Sequence, residues 1–158
     1  MGNLFRCPPN MDKKEYILKA GGVAQGSYTY TPYTTTQGEG SCSYTANSAT
    51  AKYYATCAVY YKFDATKWNK IYIKKLYCGG FNNNGKVGVC TANNPSAPNF
   101  EYATTAISLT PAVEKDQVLD ISKLTGEQAF FIYANTDGYS TASFTFVEIR
   151  GDVYLSEK

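Results

Sequence analysis

The chain has 158 residues, a formal net charge of +2 and only 18% charged residues. A chain of this length can bury a core as a single domain, and so weak a charge is not expected to attract nucleic acid or an anionic membrane surface. The 15 Tyr and 8 Phe favour the half-buried surfaces of β-sheets. We therefore expect one all-β domain with no nucleic-acid or membrane partner.

Residues 1–13 are predicted to form an extended N-terminal arm ahead of a single domain at 14–158. Large apolar side chains stand close to the terminus, and a Pro-Pro pair follows that favours extended backbone. Such termini are commonly frayed, but an apolar arm can also dock into a neighbouring subunit. The candidate partner-anchoring residues are Leu4, Phe5, Arg6, Pro8 and Pro9.

Residues 27–50 are almost entirely Tyr, Thr, Ser, Ala and Gly. They predict either an edge strand or a long excursion over the surface, and Pro32 argues against a central strand. Tyrosine combines an apolar ring with a polar hydroxyl, so exposed tyrosines here would suit a glycan or a protein partner. The candidates are Tyr28, Tyr30, Tyr33 and Tyr44; the alternative is that they only form strands.

Residues 53–64 form the clearest predicted strand, because apolar side chains alternate along it. The odd-numbered positions are predicted to face the core, starting with Tyr53. Trp68 introduces the next strand and is either a core residue or an exposed ring able to stack on sugar. The inward pairs of the next two strands are Ile71 with Ile73 and Val87 with Val89, and a further strand is expected between Phe100 and Leu109.

Three apolar runs at 117–121, 129–134 and 143–149 predict a β-meander that forms one wall of a sandwich. Asn135-Thr-Asp-Gly138 has the composition of a hairpin loop. No window shows a convincing helical period. Short strands separated by turn signals predict an antiparallel β-sandwich with a jelly-roll-like arrangement.

Catalytic and metal-binding patterns are missing from the sequence. It contains no His, so a Ser–His–acid triad cannot be built, and no two acidic residues can be assigned to one cleft. The five scattered cysteines (Cys7, Cys42, Cys57, Cys78 and Cys90) do not suggest a zinc site. We predict no enzyme activity, cofactor or metal, and free thiols, with a Cys78–Cys90 disulfide as the alternative.

Residues 53–150 resemble a β-sandwich module of bacteriophage virion proteins of the head-decoration, head-fibre and tail-adhesin types. The resemblance is carried by Trp68-Asn-Lys-Ile-Tyr-Ile73, by Gly85-Lys-Val-Gly-Val89, and by Leu119-Asp-Ile-Ser-Lys-Leu-Thr-Gly126 before Phe130-Phe-Ile-Tyr133. It implies a jelly-roll-like fold and repeated copies on a virion surface. In the turn, Asp120 and Ser122 are expected to cap, Leu124 to fill the core and Gly126 to take a positive φ.

The resemblance leads to the hypothesis of a non-enzymatic virion structural protein, a capsid decoration or fibre subunit held by its arm. Its partners would be other virion proteins, copies of itself and host glycans. With no signal peptide and no apolar window of transmembrane length, we expect synthesis in the host cytoplasm. The alternative is a carbohydrate-binding or adhesion module that uses exposed aromatic residues.

Overall fold

The computed structural model describes residues 12–18, 31–45, 47–80, 84–91, 105–109 and 112–154. They form two antiparallel sheets, which confirms the predicted all-β sandwich. Residues 1–11 of the predicted arm lie outside the described residues. The strands are β1 (Asp12–Leu18), β2 (Thr31–Thr36), β3 (Ser41–Thr45), β4 (Ser48–Lys52), β5 (Ala55–Asp64), β6 (Trp68–Gly80), β7 (Asn84–Thr91), β8 (Thr105–Ser108), β9 (Lys115–Asp120), β10 (Glu127–Thr136), β11 (Thr141–Thr145) and β12 (Glu148–Tyr154).

The first sheet has seven strands arranged around the long strand β6. Strand β9 pairs along one side of β6, while β11 and β12 pair in succession along the other side. Strands β4 and β3 extend the sheet beyond β11, and β1 extends it beyond β12. A 3-10 helix at Ala65–Lys67 connects β5 to β6.

The second sheet has five strands in the order β2-β5-β10-β7-β8. Strand β10 is central and pairs with β5 from Glu127↔Asp64 to Thr136↔Ala55. Strand β2 lies at the edge of the described sheet and carries Pro32, whose missing N–H is tolerated there. Among the described segments there is no helix long and apolar enough to cross a membrane.

The predicted meander is wrong. Strand β9 pairs with β6, strand β10 pairs with β5 and β7, and β11 pairs with β4 and β6. The chain therefore crosses from one sheet to the other after β9 and again after β10. The apolar runs identified the strands, but alternation marks the buried face of a strand and does not identify its pairing partner.

The core lies between the sheets and matches the predicted inward positions. From Ala55 to Phe63 the odd-numbered side chains of β5 are all buried, as are the predicted pairs on β6 and β7. The rings of Tyr61 and Phe130 stack across the β5–β10 pair with centroids 6.0 Å apart. Tyr53 is the exception: it precedes β5 and is 37% exposed, so its predicted place in the core is wrong.

The five-stranded sheet is also buried on its outer face. Here a second group of buried side chains, the outer-face cluster, consists of Ala58, Tyr60, Cys90, Ala129 and Phe131. Alternation along β5 distinguished its two faces, but it does not show whether the second face is covered too, so the sequence indicated only one buried face. The outer-face cluster excludes the centre of this sheet as an open platform for a ligand.

Trp68 is a core residue. It is 3% exposed, its ring centroid lies 4.8 Å from that of Phe63, and the ring packs against Gly151. A Cβ atom at position 151 would come within 2.2 Å of the Trp68 ring, so glycine leaves the room that the indole occupies. Trp68 therefore cannot stack on a sugar, and its assignment as a candidate glycan residue is wrong.

Candidate functional site

Three exposed tyrosines meet at one end of the sandwich, where β2 and β10 end and β5 begins. We call Tyr53, Tyr54 and Tyr139 the tyrosine cluster; they are 37%, 38% and 73% exposed. The Tyr139 ring lies between the other two, with its centroid 5.4 Å from each. Exposed apolar side chains are ordinary when they are scattered singly, whereas a contiguous group of them marks an interaction site. This end of the molecule is the candidate site.

Backbone hydrogen bonds fix the two segments that carry the cluster. The Tyr53 N–H donates to the Ser140 carbonyl oxygen (2.7 Å), which joins the segment before β5 to the one before β11. Tight turns flank both tyrosines, since Ala55 N–H donates to Tyr53 O (2.7 Å) and Ser140 N–H donates to Gly138 O (2.8 Å). The rings are therefore presented by short, internally bonded turns.

Tyr53 has a strained backbone, with φ +58°. A bulky non-glycine residue in the left-handed region is a genuine outlier, and such outliers cluster at functional sites because the surrounding structure has to maintain them. Because the Tyr53 side chain is exposed, burial of its ring does not offset the energetic cost of this backbone conformation. The strained position therefore points to a role for the side chain.

The loop after β2 holds Tyr54 from the other side. The Gln37 N–H donates to the Tyr54 carbonyl oxygen (2.9 Å), and the Gly40 N–H closes a turn onto Gln37 O (2.9 Å). A Cβ atom at position 40 would lie only 2.4 Å from Tyr54 O. Glycine at position 40 is thus required for the close approach of this loop to the tyrosine cluster.

A cavity of about 440 Å³ opens beside the cluster. Hydroxyl and amide groups dominate its lining, and Asp137 supplies the one carboxylate. The Asn135 amide donates to the Thr56 hydroxyl, and the Thr136 and Ser140 hydroxyls share a hydrogen bond, so part of the polar lining is held in place. The lining residues are Thr35, Thr36, Gln37, Tyr54, Ala55, Thr56, Asn135, Thr136 and Asp137.

Tyr33 and Tyr44, the two candidate tyrosines that the structure describes, do not form this site. Tyr33 is partly buried against the outer-face cluster. Tyr44 packs against the main core and donates its hydroxyl to Tyr33 O (2.6 Å), and burial raises the pKa of its phenol. Tyr28, Tyr30 and the anchoring candidates Leu4, Phe5, Arg6, Pro8 and Pro9 lie outside the described residues.

Sequence reasoning missed all three residues of the tyrosine cluster. Tyr53 and Tyr54 were assigned to the two faces of a strand that in fact begins two residues after Tyr53. Tyr139 stands directly after Asp137-Gly138, and a large ring in a turn-forming segment is the one signal that indicated exposure. The contact between the two segments depends on tertiary structure.

A second surface with an aromatic residue lies on the outer face of the seven-stranded sheet. The Arg150 guanidinium carbon lies 4.7 Å from the centre of the Tyr72 ring, beside a cavity of about 270 Å³. Its lining is mostly charged: Lys74, Asp116, Glu148 and Arg150. Because the guanidinium covers one face of the Tyr72 ring, this surface offers less free aromatic area than the tyrosine cluster.

Metal ligands do not gather in the part of the chain that the structure describes. No group of three or more Cys, Asp or Glu side chains there could hold an ion.

No protein family and no curated protein matches the sequence. Among solved structures, the chain is similar to the family 29 carbohydrate-binding module CBM29-2 complexed with mannohexaose, with a TM-score of 0.56, 8% identity and coverage of 89% of this chain and 92% of the module. A second structure of that module, complexed with cellulohexaose, gives a TM-score of 0.54, 9% identity and coverage of 90% and 92%. The likeness is one of fold.

These comparisons overturn the resemblance to bacteriophage virion proteins. Solved structures that share the fold over most of this chain are carbohydrate-binding modules of family 29, and none of these is a virion protein. The turn from Asp120 to Gly126 carried much of the resemblance, and its residues do what any tight turn between sheets requires. The hypothesis of a capsid decoration or fibre subunit is therefore wrong.

Proposed function

We propose that this protein is a non-catalytic carbohydrate-binding module that binds neutral oligosaccharides at the tyrosine cluster. The observation that carries the proposal is the placement of three exposed tyrosine rings beside a cavity lined with hydroxyl and amide groups. A sugar ring has an apolar face of C–H groups and a rim of hydroxyls. It therefore needs an aromatic surface together with convergent hydrogen-bonding groups.

The chemistry of the cavity matches such a ligand. Thr, Gln and Asn side chains both donate and accept hydrogen bonds, as sugar hydroxyls do, whereas a charged lining would favour ionic ligands. Tyrosine rings bring large contact area with little conformational freedom to lose. The complexes of CBM29-2 with mannohexaose and cellulohexaose support this class of ligand at the level of fold.

The first test is titration calorimetry of the full chain with mannohexaose and with cellulohexaose. We expect saturable binding of at least one of them. In the double variant Tyr54→Ala/Tyr139→Ala the affinity should fall by at least about tenfold, equivalent to about 1.4 kcal/mol. The folded state of the variant is checked by circular dichroism.

Tyr72→Ala is the matched control, because it removes a tyrosine from the charged surface on the other sheet. Its affinity should equal that of the unaltered protein. Loss of binding in Tyr72→Ala with retention in the double variant would keep the function and reject the site. Absence of binding to any neutral hexose oligosaccharide in the unaltered protein would reject the function.

A further inference from the structure

Two cysteines from different sheets meet at the edge of the sandwich. Cys42 lies on β3 of the seven-stranded sheet, and Cys57 lies on β5 of the five-stranded sheet. Cys42 packs against the core cluster that contains Cys57, and Cys42 Sγ lies 3.2 Å from the carbonyl oxygen of Thr56, the residue before Cys57.

The surroundings of the two sulfur atoms differ. Cys57 is fully buried, while Cys42 is partly exposed and its neutral thiol donates to the Thr56 carbonyl oxygen (3.2 Å). The Tyr44 and Thr34 hydroxyls share a hydrogen bond next to the pair (2.7 Å). Cys42 is therefore the more accessible of the two cysteines to a reagent from solution.

The hydrogen bonds also separate the acidities of the two thiols. The hydrogen bond from Cys57 lowers the pKa of Cys42 to about 7, with burial opposing and Thr34 and Tyr44 assisting. The same hydrogen bond, followed by burial, raises the pKa of Cys57. The ionisable groups that face the pair are Tyr44 from β3 and Cys78 from β6. An accessible low-pKa thiol beside a second thiol is the arrangement of redox-active cysteine pairs.

We propose that Cys42 and Cys57 form a dithiol–disulfide couple in which Cys42 is the attacking thiol and Cys57 resolves the intermediate. The oxidant is a small disulfide such as oxidised glutathione. The Cys42 thiolate attacks one sulfur of the oxidant and releases one glutathione thiolate, which leaves a mixed disulfide. Cys57 then attacks Cys42 Sγ and the bond between Cys42 and glutathione breaks. The departing glutathione sulfur takes up the Cys57 proton, so the second glutathione leaves as the thiol.

The product is a covalent link between the two sheets. It joins β3 to β5 one residue from Thr56, which lines the cavity beside the tyrosine cluster. The alternative Cys78–Cys90 pairing does not fit this fold, because Cys78 belongs to the core between the sheets and Cys90 to the outer-face cluster. Cys90, on the outer face of the five-stranded sheet, therefore serves as an internal control.

The test is oxidation of the reduced full chain with oxidised glutathione, followed by peptide mapping without reductant. We expect peptides linked through Cys42 and Cys57, and separation of these peptides after reduction. Cys57→Ser should accumulate the mixed disulfide on Cys42, whereas Cys90→Ser should form the link normally. Linkage of Cys42 to any other cysteine, Cys7 included, or no linkage at all would overturn the proposal.

Alkylation of the unaltered protein provides a readout that does not depend on the folding of a variant. At neutral pH, Cys42 should react with iodoacetamide at least about tenfold faster than Cys90, because the thiolate is the reacting form and burial raises the pKa of Cys90 to about 11. Equal rates for the two cysteines would show that Cys42 is not activated and would reject its role as the attacking thiol.

Discussion

The aromatic residues at the two ends of the β5–β10 pair are buried at one end and exposed at the other. At the end where β5 finishes, Trp68 and Phe63 pack against each other inside the core. At the end where β5 begins, the rings of the tyrosine cluster contact each other in solvent. We refer to the first as the turn end and to the second as the tyrosine end.

The two ends also differ in their local backbone structure. At the turn end Asp64 accepts from Thr66 N–H (2.9 Å), and Gly126 both donates to the Thr66 hydroxyl (3.1 Å) and accepts from Ala65 N–H (2.9 Å). The left-handed position there is filled by glycine, at φ +70°. At the tyrosine end Gly38 takes the same conformation, at φ +55°, but so does the non-glycine residue Tyr53, at φ +58°. The turn end is thus built for stability, and the tyrosine end keeps strain and exposed rings that stability alone does not explain.

The largest expected difference between the two ends is in the response to ring removal. Trp68→Ala should lower the free energy of unfolding by about 3–5 kcal/mol, because it leaves a cavity over Gly151. Tyr139→Ala, on a ring that is 73% exposed, should change it by less than about 0.5 kcal/mol. Urea denaturation measures both. A similar loss in the two variants would show that the tyrosine cluster is a structural element and would contradict the division into two ends.

Replacement of the glycine at the turn end should have the next largest effect. Gly126→Ala puts a Cβ atom at φ +70° and should lower the free energy of unfolding by about 1–2 kcal/mol. The open space around position 126 means that backbone conformation, and not a clash, is tested. Gly126→Asn is the matched control, and it should lose less because Asn tolerates this region. Equal losses in the two variants would indicate a different cause.

The turn end could largely be predicted from the sequence, because its interactions are local. Asp120 accepts from the Ser122 N–H (3.0 Å) and hydroxyl (2.6 Å), Leu124 packs against the core, and Gly126 has a positive φ. The predicted roles of Asp120, Ser122 and Gly126 are confirmed, while Leu124 contacts the core and stays partly exposed. The alternation that placed Cys57, Val59 and the other odd residues of β5 in the core is likewise a property of neighbouring positions.

The tyrosine end could not be predicted, because it is made by segments distant in sequence. Tyr53 and Tyr139 are brought together by the backbone hydrogen bond from Tyr53 N–H to Ser140 O. They also meet because the chain passes from the five-stranded sheet to the seven-stranded sheet between β10 and β11. Alternation assigned Tyr53 to the core, since the pattern carries no information on where a strand begins. The burial of Tyr60 and Phe131 on the outer face of the five-stranded sheet could not be predicted either, because an alternating pattern does not show whether another part of the chain covers that face.

A substitution at the strained tyrosine separates stability from ligand binding. Tyr53→Asn keeps a residue that tolerates φ +58°, so relief of strain should offset the lost contact with Tyr139. We expect the free energy of unfolding to change by less than about 0.5 kcal/mol, while the affinity for the bound oligosaccharide falls. Tyr53→Val is the matched control and should be destabilised, because a β-branched residue is strongly disfavoured there. A large loss of stability in Tyr53→Asn would mean that the ring is needed for folding.

The smallest expected effect is a pH dependence confined to the turn end. Hydrogen bonds from Ser122 hold the pKa of Asp120 below its ordinary value of 3.8, so the folded state binds its proton less readily than the unfolded state. The contribution of Asp120 to stability is therefore complete above the ordinary pKa value and is lost as the pH falls through the lowered pKa.

Urea denaturation between neutral and acidic pH should show that Asp120→Asn reduces the fall in stability on acidification. Ser122→Ala, which leaves the carboxylate in place and removes the hydroxyl donor, should reduce it in part. If neither substitution changes the slope, the hydrogen bonds of this turn are equally favourable in the protonated state, and the turn end owes its stability to packing and backbone conformation alone.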